Sequence, residues 1–358
     1  MILGGHVSIA GGYKEALPRA KALGGNALQM FSGSPRGWSY PKATKEQAEE
    51  FKAEAKKLGI VAAYFHASYL VNLADDGPNG KHSVEALIAE LTVAEALGVR
   101  GSIIHLGSFK DAKEQKARSA KLEALRKENP STPQTAVLLT EAVYLSHPKT
   151  DAQGLAKLQA FASHPLGKGE SHTTPPTAPL LNRGGEEEAD SLPAYEKHPK
   201  YALLISNIKA VLKKSPKNAL FIIEDMGMRK IGRSLDEIAS IVKDVNDERV
   251  RVCLDTCHLH VAGYDLSTKK KLDDFLVEFE RIIGLKRLEC FHVNDSRDEF
   301  GSLRDRHDNI GEGKVAKDVF KLILNHPKLK ALPFLLEVPG FDDTGPDKKN
   351  VDILKSLV

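Results

Sequence analysis

Short apolar runs alternate with longer stretches whose apolar positions follow a helical period, and this rhythm organises most of the chain. Residues 2–9, 26–31, 61–65 and 102–104 read as strands, with helices at 13–23, 44–58 and 83–97 between them. Thr44 with Gln47 three residues on predicts a capping box, and Gly98 a helix stop. After an interruption the rhythm resumes with helix 201–214, strand 219–223, helix 234–245 and strand 250–254. Helix 272–283, strand 287–293, helix 315–324 and strand 333–336 complete it. The β-branched run at 250–254 suits a parallel strand covered on both faces, which needs apolar side chains on both sides. Eight strand–helix units imply a closed parallel barrel, because right-handed crossovers bring the last strand beside the first. The predicted fold class is α/β, a TIM (β/α)8 barrel.

Residues 110–198 break the pattern. They open with a charged, helix-prone piece carrying Lys110, Lys113, Lys116, Arg118 and Lys121, and pass through two short amphipathic stretches around 136–145 and 151–161. Pro/Thr-rich and acidic sequence follows at 173–188. A structureless loop of this length is unusual inside a compact domain. The expectation is a single barrel domain, 1–358, in which 1–109 and 199–358 form the barrel. Residues 110–198 are then an insertion after strand four, partly helical and partly disordered.

The chemistry gathers where the predicted strands end: His66, His105, Glu224, Asp255 with His258, His292, and Glu337. In a barrel all of these lie at the C-terminal face, where the strand-to-helix loops build sites. Asp305 and His307, two apart in a loop, point the same way if that segment is extended. A set of imidazoles and carboxylates with no required thiol suits Zn²⁺ or Mn²⁺ in a hydrolytic site better than a closed structural zinc site. Nine candidate ligands exceed one tetrahedral ion and suffice for two or three with bridging carboxylates. The bland alternative for Asp255 or Asp295 is a helix cap, and a lone strand-end His is often a packing residue. Agreement of six strand ends on one face outweighs that alternative. His6 has no assigned role. Cys253 alternates with Asp255 along its strand, so Cys253 and Cys257 read as small buried residues.

Composition narrows this picture without redirecting it. The 51 basic and 48 acidic side chains give a formal net charge of +3, so nucleic-acid binding would need a local basic face. Three cysteines cannot all pair and fit a reduced compartment. The first residues lack the basic and long apolar regions of a signal peptide, and no apolar run approaches the roughly 20 residues of a membrane helix. A soluble intracellular protein without a membrane partner is expected.

At these residues the sequence resembles the endonuclease IV family of apurinic/apyrimidinic (AP) endonucleases, over about 1–109 and 199–358. The motifs that carry the resemblance are His66-Ala-Ser-Tyr-Leu-Val-Asn-Leu73, His105-Leu-Gly-Ser108, and Cys253-Leu-Asp-Thr-Cys-His258 with Ala262-Gly-Tyr-Asp-Leu266. To these add His292-Val-Asn-Asp295, and Asp305-Arg-His307 with Gly311-Glu-Gly313. The resemblance implies three zinc ions per chain, with manganese as the alternative at one position. His66, His105 and Glu224 would hold the first ion, and Glu224 would bridge to a second completed by Asp255, His292 and Glu337. His258, Asp305 and His307 would hold the third. The implied reaction is hydrolysis of the phosphodiester 5′ to an abasic site in double-stranded DNA by a zinc-bridged hydroxide. It leaves a 3′-hydroxyl and a 5′-deoxyribose phosphate, with Glu224 and Glu337 as catalytic carboxylates.

The resemblance also places DNA-penetrating side chains at Arg36, Tyr69 and Leu70, with Trp38 packed under that loop. Extruding a nucleotide costs least where the base is already missing. Phosphate contacts are expected from Arg229, Lys230, Arg233, Arg297, Arg304 and Arg306, and from the basic start of the insertion. A monomer is expected, cytoplasmic and nucleoid-associated in a prokaryote or nuclear in a eukaryote. Three departures from the family pattern stand beside the ligands: Asp225-Met226 for a polar pair, Asp308 for a second His, and Val338-Pro-Gly340 for a polar continuation. Each alters surroundings that orient ligands. Two other readings remain open. One is a metal-dependent TIM-barrel sugar isomerase or epimerase using Glu224, Asp255, His292 and Glu337. The other is an abasic-site DNA-binding protein with weakened catalysis.

Overall fold

The computed structural model describes residues 1–38, 40–109, 198–227 and 230–358. Eight parallel strands close a barrel: β1 (Ile2–His6), β2 (Ala27–Phe31), β3 (Ala62–His66), β4 (Gly101–Ile104), β5 (Leu220–Glu224), β6 (Val250–Asp255), β7 (Leu288–His292) and β10 (Pro333–Leu336). The order around it is β1-β10-β7-β6-β5-β4-β3-β2, so the last strand does close on the first. Two short antiparallel strands, β8 (Asp295–Ser296) and β9 (His307–Asp308), form a ladder within the connection from β7 to β10. Met1–Phe109 with Pro199–Val358 make one compact unit. The sequence expectations for 110–197, its helices, its tail and its basic phosphate contact, lie outside the described residues, as does Arg229.

Strand side chains alternate between the barrel interior and the helix layer. Ala27, Ala62, Tyr64, Ile103, Ile222, Cys253, Cys290 and Leu335 pack together as one buried cluster inside the barrel. Two residues further along the same strands come Gln29, His66, His105, Glu224, Asp255, His292 and Glu337. The polar ring therefore stands one pleat above an apolar floor. Cys253 and Cys290 are register partners on β6 and β7, within that floor. All three cysteines are free and buried, in line with the reading of Cys253 and Cys257 as packing residues.

The outer helices bury one stripe each. Helix Leu235–Val245 seats Leu235, Ile238, Ile241, Val242 and Val245 inward, and Ser234 caps it by accepting from the Glu237 N–H. Each such side chain contributes roughly 1.5–3 kcal/mol when fully buried. The Thr44–Gln47 capping box forms as the sequence predicts. Helix Pro78–Leu97 starts five residues before the predicted 83. Pro78 takes the first helical position, where a missing N–H costs nothing, and the Ser83 hydroxyl turns back to the Asn79 carbonyl, 2.6 Å away. Two helices absent from the sequence reading are Thr256–Ala262 and Lys348–Lys355. Among the described residues no helix is long and apolar enough to cross a membrane.

Candidate metal centre

Three groups of side chains converge above the floor: His66, His105 and Glu224; Glu224, Asp255, His292 and Glu337; and His258, Asp305 and His307. Within each group the nitrogen and oxygen atoms lie within 4.8 Å of one another. Glu224 joins the first two. Its Oε2 lies 2.8 Å from His105 Nε2 and 3.3 Å from His66 Nε2, while Oε1 lies 3.0 Å from His292 Nδ1. His258 Nε2 stands 3.2 Å from Asp305 Oδ2, and His307 Nε2 is 3.4 Å from Asp305 Oδ1 and 3.6 Å from Asp255 Oδ2. The nitrogens His105 Nε2 and His307 Nε2 are buried yet make no hydrogen bond, although carboxylate oxygens are close. Lone pairs that crowd together without pairing suit a shared cation between them, so the residues present fit divalent ions. Asp255, Cys257 and His307 also lie close. Burial raises the Cys257 thiol to about 12, which makes it a poor competitor with the imidazoles.

The far nitrogen of most of these rings is already committed. His66 Nδ1 faces the Ala67 carbonyl at 2.8 Å, His258 Nδ1 the Asp225 carbonyl at 2.6 Å, and His307 Nδ1 the Glu337 carbonyl at 3.3 Å. Outer hydrogen bonds of this kind fix the ring that a metal-binding histidine presents. His105 differs: Lys230 Nζ lies 3.1 Å from its Nδ1. Holding an ion at Nε2 requires Nδ1 to carry the ring proton and Lys230 to turn away. Asp255 does two jobs at once. Its Oδ1 accepts from the Cys257 and His258 N–H groups at the start of helix Thr256–Ala262, while its Oδ2 takes the Asn294 amide at 2.7 Å and faces the cluster. Asn294, through its own oxygen, accepts the Glu337 N–H at 2.7 Å. Asp225, a departure from the family pattern, accepts the Asp255 N–H at 2.5 Å.

The histidines and carboxylates of the cluster shift one another's protonation. Burial pushes the Glu224 carboxyl upward, but His105 and His292 prevail and hold it well below the usual range. Burial pulls His258 and His292 down. Asp255 and Asp305 overcome it for His258, Glu337 and Glu224 for His292, and both rings end well above the ordinary histidine value. His307 is raised to about 9, Asp255 and Asp305 outweighing its burial. His105 goes the other way, to about 4, because burial outweighs Glu224 and Lys230 adds like charge. Without a cation, the group balances its carboxylates with ring protons. A divalent ion would take their place.

The loop bearing Asp305 and His307 is held by Asp295, which is no helix cap. Its buried carboxylate accepts backbone N–H groups from Ser296, Gly311, Gly313 and Val315. Gly313 has no room for a Cβ, which would collide with Asp295 and the Ser296 carbonyl. On the rim, Tyr69 is 57% and Leu70 39% exposed, although large hydrophobics usually avoid water. Pro35 carbonyl takes both the Tyr69 N–H and the Ser68 hydroxyl, tying the loop that carries Arg36 to the one that carries Tyr69. Trp38 packs against His82, with ring centroids 5.3 Å apart. Arg306 forms a two-pronged pair with Asp298, and Arg304 shares that carboxylate. Arg297 lies 3.7 Å from Asp308 and Arg233 lies 3.9 Å from Glu237. Sequence reasoning missed Gln29, His6 and Asn294. Gln29 contacts Glu337, His292 and His6.

Residues 17–131 and 179–357 match the family described as xylose isomerase-like TIM barrel. A relative from Halothermothrix orenii, named probable endonuclease 4, is 30% identical over 357 residues, covering 99% of each chain. The protein of the same name from Thermosipho africanus is 28% identical over 364 residues, covering 99% of this chain and 98% of its own. Among solved structures, endonuclease IV from Thermus thermophilus aligns with a TM-score of 0.67 at 25% identity, over 100% of this chain and 98% of that one. The chain belongs to the endonuclease IV family of xylose isomerase-like TIM barrels.

Proposed function

We propose that this chain is a metal-dependent DNA-repair endonuclease that hydrolyses the phosphodiester 5′ to abasic sites in double-stranded DNA. The products are a 3′-hydroxyl and a 5′-deoxyribose phosphate. The observation that carries the reading is the convergence of three nitrogen–oxygen ligand groups on one barrel face, two of them joined through Glu224. His66, His105 and Glu224 would hold one ion, Glu224, Asp255, His292 and Glu337 a second, and His258, Asp305 and His307 a third. The donor set favours zinc, with manganese as the alternative at one position. When bound, such ions supply Lewis acidity to a phosphodiester and make water nucleophilic at neutral pH.

The protein's own side chains do the rest. Glu224 spreads its two oxygens over two groups and so fixes the spacing between them. Glu337 presents Oε2 to the cluster, 3.3 Å from His292 Nδ1, while its Oε1 is held by Gln29. Tyr69, Leu70 and Arg36 supply an aromatic, an aliphatic and a planar cationic surface to fill the gap left by a missing base. Lys230 stands beside His105, where a phosphate could draw it off the ring. Arg304 and Arg306 reach phosphates only in competition with Asp298. Residues 110–198 are an insertion in the single barrel domain. The protein acts as a monomer, in the compartment that holds its DNA.

A sugar isomerase would use Glu224, Asp255, His292 and Glu337 and leave the other two groups without a task. A binding protein would keep the rim and lack turnover. Full-length, zinc-loaded protein is expected to carry about three zinc ions per chain and to nick a duplex with one stable abasic analogue on its 5′ side. Zinc-replete protein that leaves the duplex intact overturns the proposal.

A further inference from the structure

His292 is held differently from the other histidines of the centre. His66, His258 and His307 commit Nδ1, each to a backbone carbonyl. His292 commits Nε2, and to a side chain: Gln29 Oε1 lies 2.7 Å away. That leaves Nδ1 for Glu224 at 3.0 Å and Glu337 at 3.3 Å. Gln29 is fully buried on β2, a strand that contributes nothing to the three ligand groups. Its amide nitrogen lies 2.5 Å from Glu337 Oε1 and 3.0 Å from His6 Nδ1.

We propose that Gln29 is a positioning residue that takes its orientation from the Glu337 carboxylate and thereby fixes which nitrogen of His292 faces the metal centre. The inference rests on the reading above, in which Glu224, Asp255, His292 and Glu337 hold an ion. The donor–acceptor inventory allows one arrangement. A carboxylate only accepts, so the Gln29 NH₂ group faces Glu337; turned over, two oxygens would meet at 2.5 Å. The Gln29 carbonyl oxygen then faces His292, and because it only accepts, His292 carries a hydrogen on Nε2. Its Nδ1 is the atom left for the cluster. The second amide hydrogen goes to His6 Nδ1, which gives His6 a role as the far anchor of the same amide. Backbone carbonyls hold the other three rings whatever side chains are present. Of these four rings, only His292 has a restraint that substitution can delete.

The test compares full-length wild type with Gln29→Met, which keeps the length and removes the amide, and with Gln29→Glu, whose protonated acid donates to Glu337 as the amide does and keeps an acceptor for His292. In metal-free protein with ¹⁵N-labelled histidine, the His292 Nε2–H is expected to be protected from solvent exchange. That protection should be lost in Gln29→Met and retained in Gln29→Glu. Zinc affinity, measured by competition with a chromophoric chelator, is expected to fall about 10–100-fold at one site in Gln29→Met. A protected Nε2–H or unchanged zinc affinity in Gln29→Met overturns the inference. If that variant does not fold, loss of the protected Nε2–H in Gln29→Glu overturns it instead. Wild type that binds no zinc would sink the functional reading, while the ring signal of metal-free protein would still decide the role of Gln29.

Discussion

Stripping the divalent ions is expected to leave a protein whose stability falls as the solution becomes alkaline. His307 rises from an ordinary value of 6.5 to about 9 on folding, driven by Asp255 and Asp305 against its burial. At about 1.36 kcal/mol per unit, a raised value of this size contributes on the order of 3 kcal/mol. The folded state binds the proton more tightly, so the contribution is complete below the unfolded value and is lost as pH climbs from 6.5 to about 9. His258 and His292 shift in the same direction and steepen the loss. Glu224, Glu337 and Asp305 are held low by their histidine neighbours, so their contributions are present above their unfolded values and vanish in acid. The metal-free protein should therefore be most stable between the ordinary carboxylate range and 6.5. Urea unfolding in chelator, followed by fluorescence from pH 5 to 9.5, measures this directly. Saturating zinc should lift the alkaline side, because ions replace the ring protons. Metal-free stability that is flat or rising between pH 6.5 and 9 refutes the reasoning.

Three further changes probe separate parts of the centre. Glu224→Gln keeps the volume and removes the charge between two groups; zinc content should fall and nicking should drop on the order of 10³-fold, matching a loss of several kcal/mol. Single-turnover activity within tenfold of wild type would contradict a joining role for Glu224. Tyr69→Ala should weaken binding to an abasic duplex by about 1–3 kcal/mol, measured by fluorescence anisotropy in a Glu224→Gln background, with little change for intact duplex. Equal losses on both duplexes would remove Tyr69 from lesion recognition. Asp295→Ala strips the acceptor from four backbone N–H groups and should cost about 3 kcal/mol or more, together with the zinc held by the His258 group. Urea unfolding and zinc analysis check both, and an unchanged third zinc would detach the loop from Asp295.

Most of the ring was legible in the sequence because two independent signals coincide at each strand end: an apolar run stops, and a residue of ligand type follows. For Asp255 the sequence set a cap against a ligand and favoured the ligand. The structure has both oxygens in use: Oδ1 caps helix Thr256–Ala262, while Oδ2 takes the Asn294 amide and faces the cluster. Gln29 escaped notice because a neutral amide announces no chemistry. Yet it sits two residues beyond Ala27, the same step that separates Ile222 from Glu224 and Cys290 from His292. Counting in twos from the apolar floor would have found it. The pairing of Arg304 and Arg306 with Asp298 depends on how one loop folds back, which periodicity does not encode. The early start of the helix at Pro78 likewise turns on local geometry: a proline reads as a breaker until its place at the first turn is known.

The apolar floor gives this protein a built-in clock for its own opening. Cys253, Cys257 and Cys290 are the chain's only thiols, and none is accessible in the closed barrel. Burial also raises Cys253 and Cys257, so alkylation of the native state is suppressed twice, by access and by protonation. Any labelling therefore reports excursions in which the strands part or helix Thr256–Ala262 lifts. Because Cys253 and Cys290 lie one pleat beneath Asp255 and His292, occupancy of the centre above should slow their labelling by the factor with which ions favour the closed state. The thiols that sequence logic set aside as ligands thus become the natural gauge of how firmly bound ions would hold the barrel shut.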